Sequence, residues 1–302
     1  MTAVQQPDIT ATTARGWFAR HKWLLARRFS QLAILGLFLL GPWFGIWIVK
    51  GNLTSSRTLD VLPLTDPFIF LQSLATGYLP ELTAILGALL VVAFYLLVGG
   101  RVFCAWVCPV NIVTDTAHWL RRRLGINAAS RLSPNARYWL LGAVLLLALI
   151  TGSLAWELVN PVSILHRGLI FGMGFGWLIV LAIFLFDLLV SRRGWCGHLC
   201  PMGAFYSALG THSLLRVRAD RREHCNDCMD CYAVCPEPQV IRPALKGEEQ
   251  GKGPVISSAH CTNCGRCIDV CSKEVFTFGG RFHNRPDAGR QHHHSSGMEV
   301  PQ

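Results

Sequence analysis

Residues 225–271 carry one cysteine spacing twice: Cys225-x2-Cys228-x2-Cys231-x3-Cys235, then Cys261-x2-Cys264-x2-Cys267-x3-Cys271. Three thiolates two residues apart can wrap three irons of one 4Fe–4S cubane. The fourth is carried off by the following turn and ligates a second cubane, and bacterial two-cluster ferredoxins use this run twice. The spacing therefore predicts two 4Fe–4S clusters. One is held by Cys225, Cys228, Cys231 and Cys271, the other by Cys261, Cys264, Cys267 and Cys235. Cys-x2-Cys pairs also build zinc sites, but two complete four-cysteine runs in tandem favour clusters. Pro236 follows the first run, whereas Ser272 follows the second. Proline there orients the remote cysteine and is not a ligand, so its loss is expected to change geometry or potential without removing a cluster.

The remaining four of the twelve cysteines form two shorter motifs, Cys104-Ala-Trp-Val-Cys108-Pro109 and Cys196-Gly-His-Leu-Cys200-Pro201. Cysteines at i and i+4 share one face of a helix. Such a pair can chelate half a metal site or close a disulfide. If Cys104, Cys108, Cys196 and Cys200 meet, they offer one further metal centre; otherwise they are thiols packed at an interface. His198 lies inside the second motif and has no counterpart in the first. Every cysteine falls in a spaced motif, which favours thiolate ligation in a reducing compartment over a secreted disulfide framework.

Four apolar runs precede the ferredoxin-type segment, at 29–49, 82–98, 138–156 and 168–190. Each approaches the roughly 20 residues that cross a bilayer. Hydrophobic residues make up 51% of the 302 positions and charged ones only 15%, well below the roughly 25% of a soluble domain. The fold class expected is an α-helical membrane protein with four transmembrane helices, plus a small α+β C-terminal domain holding two 4Fe–4S clusters. The first run lies too far inside the chain, with no small-residue cleavage site, for a signal peptide. The net charge of +10 flanks the apolar runs and forms no aromatic-interleaved patch, so no nucleic acid partner is expected. Arg15, Arg20, Lys22, Arg27 and Arg28 precede the first run. Arg101, Arg121, Arg122, Arg123, Arg131 and Arg137 separate the second from the third, and Arg192 and Arg193 follow the fourth. By the positive-inside rule both termini and the middle loop are cytoplasmic. The expected division is a cytoplasmic N-terminal segment 1–28, a membrane domain 29–201, a cytoplasmic ferredoxin-like domain 202–280 and a disordered tail 281–302.

The membrane part repeats. Each cysteine pair ends a hairpin, with arginine three residues before its first cysteine (Arg101, Arg193) and an aromatic just before it (Phe103, Trp195); Asp66-Pro67 upstream matches Asn160-Pro161. Ionisable groups beside lipid are candidates for proton handling: Asp187 near the end of the fourth run, and Glu157 and His166 on the outer side. Each has a structural alternative. Trp43, Trp47, Trp156 and Trp177 fit interfacial belts or helix packing. The insert 237–260 is polar and reads as a loop. His292, His293 and His294 in the tail read as solvated residues.

These features together resemble the NapH family, a ferredoxin-type membrane component of periplasmic nitrate reductase systems. The resemblance runs from about Arg15 to Phe278. It includes Gly41-Pro-Trp-Phe-Gly45, Pro63-Leu-Thr-Asp-Pro67, Phe103-Cys-Ala-Trp-Val-Cys-Pro109, Trp195-Cys-Gly-His-Leu-Cys-Pro201 and Cys228-Met-Asp-Cys231. It implies a bacterial inner-membrane quinol dehydrogenase subunit, active only within a complex. It would work with a NapG-like ferredoxin subunit and pass electrons from membrane quinol toward a membrane cytochrome or nitrate reductase chain. No quinol-binding motif carries over. Two other classes resemble the core. One is a maturation factor for copper oxidases, which carries an additional extracytoplasmic domain. The other is a methylamine-utilisation ferredoxin relative of the same layout.

Overall fold

The structure is a computed structural model that describes residues 16–126, 132–133, 135–172 and 174–282. The expectations for the tail, including the run His292–His294, therefore lie outside the described residues.

A short helix α1 (Trp17–Arg20) leads into α2 (Lys22–Phe44). Gly45 ends α2 in the left-handed conformation, with its N–H returned to Gly41 and Leu40. The chain then enters an antiparallel sheet of β1 (Val49–Gly51), β2 (Ser55–Thr58) and β3 (Leu62–Thr65). Helix α3 (Pro67–Ala75) follows, its N-terminus capped by the Asp66 carboxylate, which accepts from the Phe68 and Ile69 N–H groups. Helix α4 (Leu82–Val98) packs against β3 and α3, and α5 (Val110–Arg123) follows the first cysteine pair. The second half repeats the plan with α6 (Ala136–Thr151), α7 (Ala155–Val159), α8 (Pro161–Phe171), α9 (Gly176–Leu185) and α10 (Pro201–Gly210). Asn160 caps α8 through Val162 N–H, as Asp66 caps α3. Asn and Asp are the side chains best suited to that position, and proline at the first helical residue gives up only a donor that would have no partner.

Among the described residues, α2 is the one helix both long and apolar enough to cross a bilayer; Leu82–Val98, Ala136–Thr151 and Gly176–Val190 are apolar but shorter. The runs read from sequence overshoot for local reasons. Gly152 stops α6 in the left-handed region, and Gly172 and Gly174, both at positive φ, separate α8 from α9. The helices keep their apolar side chains outward. Leu82, Leu89, Phe94, Trp139, Ile150 and Phe175 are all exposed.

The C-terminal part is α+β. Strand β4 (Leu215–Arg218), helices α11 (Asp230–Val234), α12 (Ile241–Lys246) and α13 (Arg266–Val270), and β5 (Thr277–Gly280) enclose one core. β4 and β5 pair antiparallel. That core includes Val217, Ile256, Val275 and Phe276. The expectation of a loop over 237–260 fails. Val240, Ile241, Ala244 and Leu245 are buried in the same core, because α12 turns one apolar side inward beneath a polar exterior. The two parts meet tightly: a Cβ on Gly265, in the C-terminal part, would lie 2.6 Å from the Trp23 ring of α2.

Candidate metal centres

The two long cysteine runs build the same loop. Asp227 and Asn263, each two residues after the first cysteine, take φ of 56° and 46°. Met229 and Gly265, each just after the second cysteine, take φ of 62° and 73°. Asp227 accepts from the Cys225 thiol at 3.6 Å, and Asn263 from Cys261 at 3.5 Å. The third cysteines, Cys231 and Cys267, lie on α11 and α13. The fourth, Cys235 and Cys271, cap the ends of those helices. The two short helices pack together, and this crosses the fourth cysteines over. Cys225, Cys228, Cys231 and Cys271 line one cavity, and Cys235, Cys261, Cys264 and Cys267 line another.

None of the twelve cysteines forms a disulfide. Burial, then neighbouring thiols, pushes Cys231 up to about 12, and burial pushes Cys261 up to about 11. Such thiols lose their protons readily only to a cation placed beside them, which iron supplies. Among the described residues, no three His, Cys, Asp or Glu side chains converge as a single bound ion would require. Four thiols ringing a cavity fit a cluster better than a lone tetrahedral ion.

The two cavities differ in their surroundings. The one at Cys264 lies against the helical part. The Asn263 carbonyl accepts from Trp106 Nε1 at 3.1 Å, and Asn263 Nδ2 donates to the Val98 carbonyl at 3.1 Å. Asp269 accepts from the Trp23 and Leu24 N–H groups at 3.1 and 3.0 Å. Arg101 donates to Glu237 and to the His260 carbonyl, both at 2.8 Å, and to the Cys196 carbonyl at 3.1 Å. Arg137 adds a second bond to Glu237 at 3.3 Å. The cavity at Cys228 faces outward: Cys228 is exposed, as is Met229 beside it.

The short motifs do not sit on regular α-helix. Phe103–Val107 and Trp195–Leu199 are single π-helical turns, and such turns recur at functional sites. They bring the pairs together. Cys104 and Cys196 line a common cavity with Cys264, walled by Arg101, Arg193 and Arg266. Burial, then Cys104, pushes Cys200 up to about 12; burial, then Cys104 and Cys200, raises Cys108 as well. The four thiols are thus mutual neighbours. Asp187 holds the second turn in place, accepting from the Trp195 N–H at 2.9 Å. His198 does not line the shared cavity. Glu157 accepts from Asn160 Nδ2 at 3.1 Å, and His166 is buried edge-on against Phe38. Neither reaches the cysteines.

Two families match. One described as a 4Fe-4S binding domain covers residues 81–127 and 173–218, which contain the short motifs. One described as a 4Fe-4S dicluster domain covers 224–275. The "Ferredoxin-type protein NapH" of Escherichia coli is 50% identical over 90% of this chain and 94% of its own length. The "Methylamine utilization ferredoxin-type protein MauN" of Methylorubrum extorquens is 56% identical over 89% of this chain and 93% of its own. MauN of Paracoccus denitrificans is 55% identical over 90% and 95%. The chain belongs to this NapH/MauN family of ferredoxin-type proteins. It is accordingly an iron–sulfur protein whose chemistry is electron transfer. No solved structure matches it.

Sequence reasoning missed the buried network of Arg101, Arg137, Glu237 and His260. Its one visible trace was the arginine repeated three residues before each short motif. The positive-inside count also included arginines that are interior: Arg27, Arg101, Arg121 and Arg137 are each at most 2% exposed.

Proposed function

We propose that this chain is the membrane-bound subunit that takes electrons from quinol and passes them to a NapG-like ferredoxin partner, toward periplasmic nitrate reduction. One observation supports this most: Cys104 and Cys196 share a cavity with Cys264, so a membrane-edge centre would stand directly beside the inner cluster site. In this reading Cys225, Cys228, Cys231 and Cys271 hold the outer of two 4Fe–4S clusters, and Cys261, Cys264, Cys267 and Cys235 the inner. Cys104, Cys108, Cys196 and Cys200 hold a further centre. Each group, when bound, exchanges one electron at a time. The chain's own residues support this arrangement: the Asn263 and Asp269 contacts seat the inner site against the helices, and the Cys228–Met229 edge is exposed. Because that edge lies on the cytoplasmic side in this reading, delivery to a periplasmic acceptor requires a further step across the membrane.

The apolar, outward-facing helices support four passes through the bacterial inner membrane: α2, α4, α6 and the stretch Gly176–Val190. Both termini then lie in the cytoplasm with the ferredoxin-like domain 202–280.

A second reading has a specific observation behind it. The two MauN relatives described above share more identity with this chain than NapH does, which supports service to an amine-oxidising chain through the same electron path. The test of the shared core is anaerobic purification in detergent, iron and sulfide analysis, and EPR after addition of a menaquinol analogue. A reduced 4Fe–4S signal supports quinol as donor. Clusters that stay oxidised with quinol, alone and with the partner subunit present, would overturn it. Restoration of nitrate-dependent growth or of methylamine-dependent growth in deletion strains separates the two acceptor chains.

A further inference from the structure

A cavity of about 710 Å³ opens where α1, α2 and α5 meet α11 and α13. Six arginines line it: Arg20, Arg27, Arg28, Arg122, Arg193 and Arg266. Its carboxylates are Asp115, Asp230 and Asp269, three against six arginines. Asp115 is shared by Arg28 at 2.5 Å, Arg193 at 3.3 Å and Arg266 at 2.5 Å. Asp269 accepts from the backbone of Trp23 and Leu24.

The positive charge is left in excess. Arg27 is fully buried, yet none of its three guanidinium nitrogens makes a hydrogen bond, and the nearest carboxylate oxygen is 3.9 Å away. A buried charge without a hydrogen-bond partner is costly. Arg27 also lies in electrostatic range of Cys264, so a cluster there would take part of its charge. Arg20 and Arg122 would still be left over. His118, also lining the cavity, buries an Nδ1 with no partner.

We infer that this cavity is a binding site for a phosphate-bearing anion. Guanidinium forks match the oxygens of phosphate bidentately, and a neutral quinol would leave the charge unanswered. The volume suits a small ligand. Leu24, Trp119, Val234 and Val270 give it apolar walls beside the polar groups. Basic pockets between helices on the cytoplasmic side take anionic headgroups. Two sources share this chemistry, an anionic phospholipid headgroup and free phosphate. An occupant there would touch α11 and α13 together with α2 and α5, tying the ferredoxin-like part to the helices.

The test uses the full, cluster-loaded chain, stripped of lipid in detergent. Native mass spectrometry and thermal unfolding are followed on adding phosphatidylglycerol, phosphatidylcholine or inorganic phosphate. Arg20→Gln/Arg122→Gln is compared with wild type, its iron content serving as the check on folding. Arg20→Gln alone is the milder variant should the double one lose iron. Selective retention of phosphatidylglycerol, weakened about tenfold or more in the variant, supports the site with a lipid source. Protection by inorganic phosphate, weakened likewise, supports it with a free-phosphate source. Equal binding by wild type and variants, or binding of neither phosphate form, overturns the inference.

Discussion

Arg101 donates to Glu237 at 2.8 Å across 136 positions of chain, and both side chains are buried. The bond joins the loop before the first short motif to the residue just after Cys235-Pro236. Burial alone would raise the Glu237 carboxyl; Arg101 and then Arg137 outweigh it and hold it below its usual range. Removing one partner of a buried ion pair strands the other and costs about 3–5 kcal/mol. Arg101→Gln is therefore expected to lower the thermal midpoint and expose the 202–280 segment to limited proteolysis. Glu237→Gln should do at least as much, because it leaves two buried arginines, Arg101 and Arg137, without their carboxylate, whereas Arg101→Gln leaves Glu237 paired with Arg137. A double variant that loses as much as the sum of the two single ones would show that the pair is not coupled.

Iron content separates the outer site from the inner. Cys228→Ala and Cys264→Ala should each remove about four irons per chain, one cluster's worth. The consequences for the fold should differ. Cys228 is exposed, whereas Cys264 is buried against the helical part. The Cys264 variant should also lose thermal stability, and the Cys228 variant should keep most of it. Iron analysis paired with thermal unfolding of both proteins checks this, and equal losses in both would contradict the inner and outer assignment.

The short motifs make a separate claim. If Cys104, Cys108, Cys196 and Cys200 hold a metal centre, Cys104→Ala/Cys196→Ala should reduce iron beyond the about eight atoms that two 4Fe–4S clusters supply. The reduced EPR spectrum of those two clusters should persist. Unchanged iron in this variant would leave the four as packed thiols.

Much of this was legible in the sequence because a ligand set is a matter of residue type and spacing. The eight cysteines of 225–271 line two cavities in sets of four, the grouping expected from their spacing; that each set holds a cluster stands as a proposal. The repeat of Asp66-Pro67 and Asn160-Pro161 became a pair of matching helix caps. What could not be read were contacts made at long range. Asp115 gathers arginines from α2, the Arg193 loop and α13, and nothing local marks it. The π-helical turns were invisible for a different reason. Spacing i to i+4 is the same in a π turn as in an α-helix, so the cysteine pattern does not distinguish the two. The insert 237–260 was misread because α12 buries few side chains among many polar ones.

Asp66 allows the two halves of the repeat to test each other. Its carboxylate caps α3 and accepts from the Tyr206 hydroxyl at 3.1 Å. Burial raises it to about 6, against the capping bonds that oppose the shift. A carboxyl raised in the folded state is bound more tightly by protons there than in the unfolded chain. Its favourable contribution is therefore complete below the unfolded value of about 4 and is lost as pH rises through about 6. At neutral pH the buried charge is a burden on the fold. Asn160 occupies the same place in the second half and caps α8 with no charge. Asp66→Asn should keep the α3 cap, raise the thermal midpoint at pH 7 and flatten its dependence between pH 4 and 6. Asp66→Ala removes the cap as well as the charge, a loss of about 1 kcal/mol from the cap, and should fall below Asp66→Asn at every pH. Thermal unfolding of the three proteins across that range decides it; a midpoint for Asp66→Asn lower than wild type at pH 7 would mean that the ionised carboxylate is required where it stands.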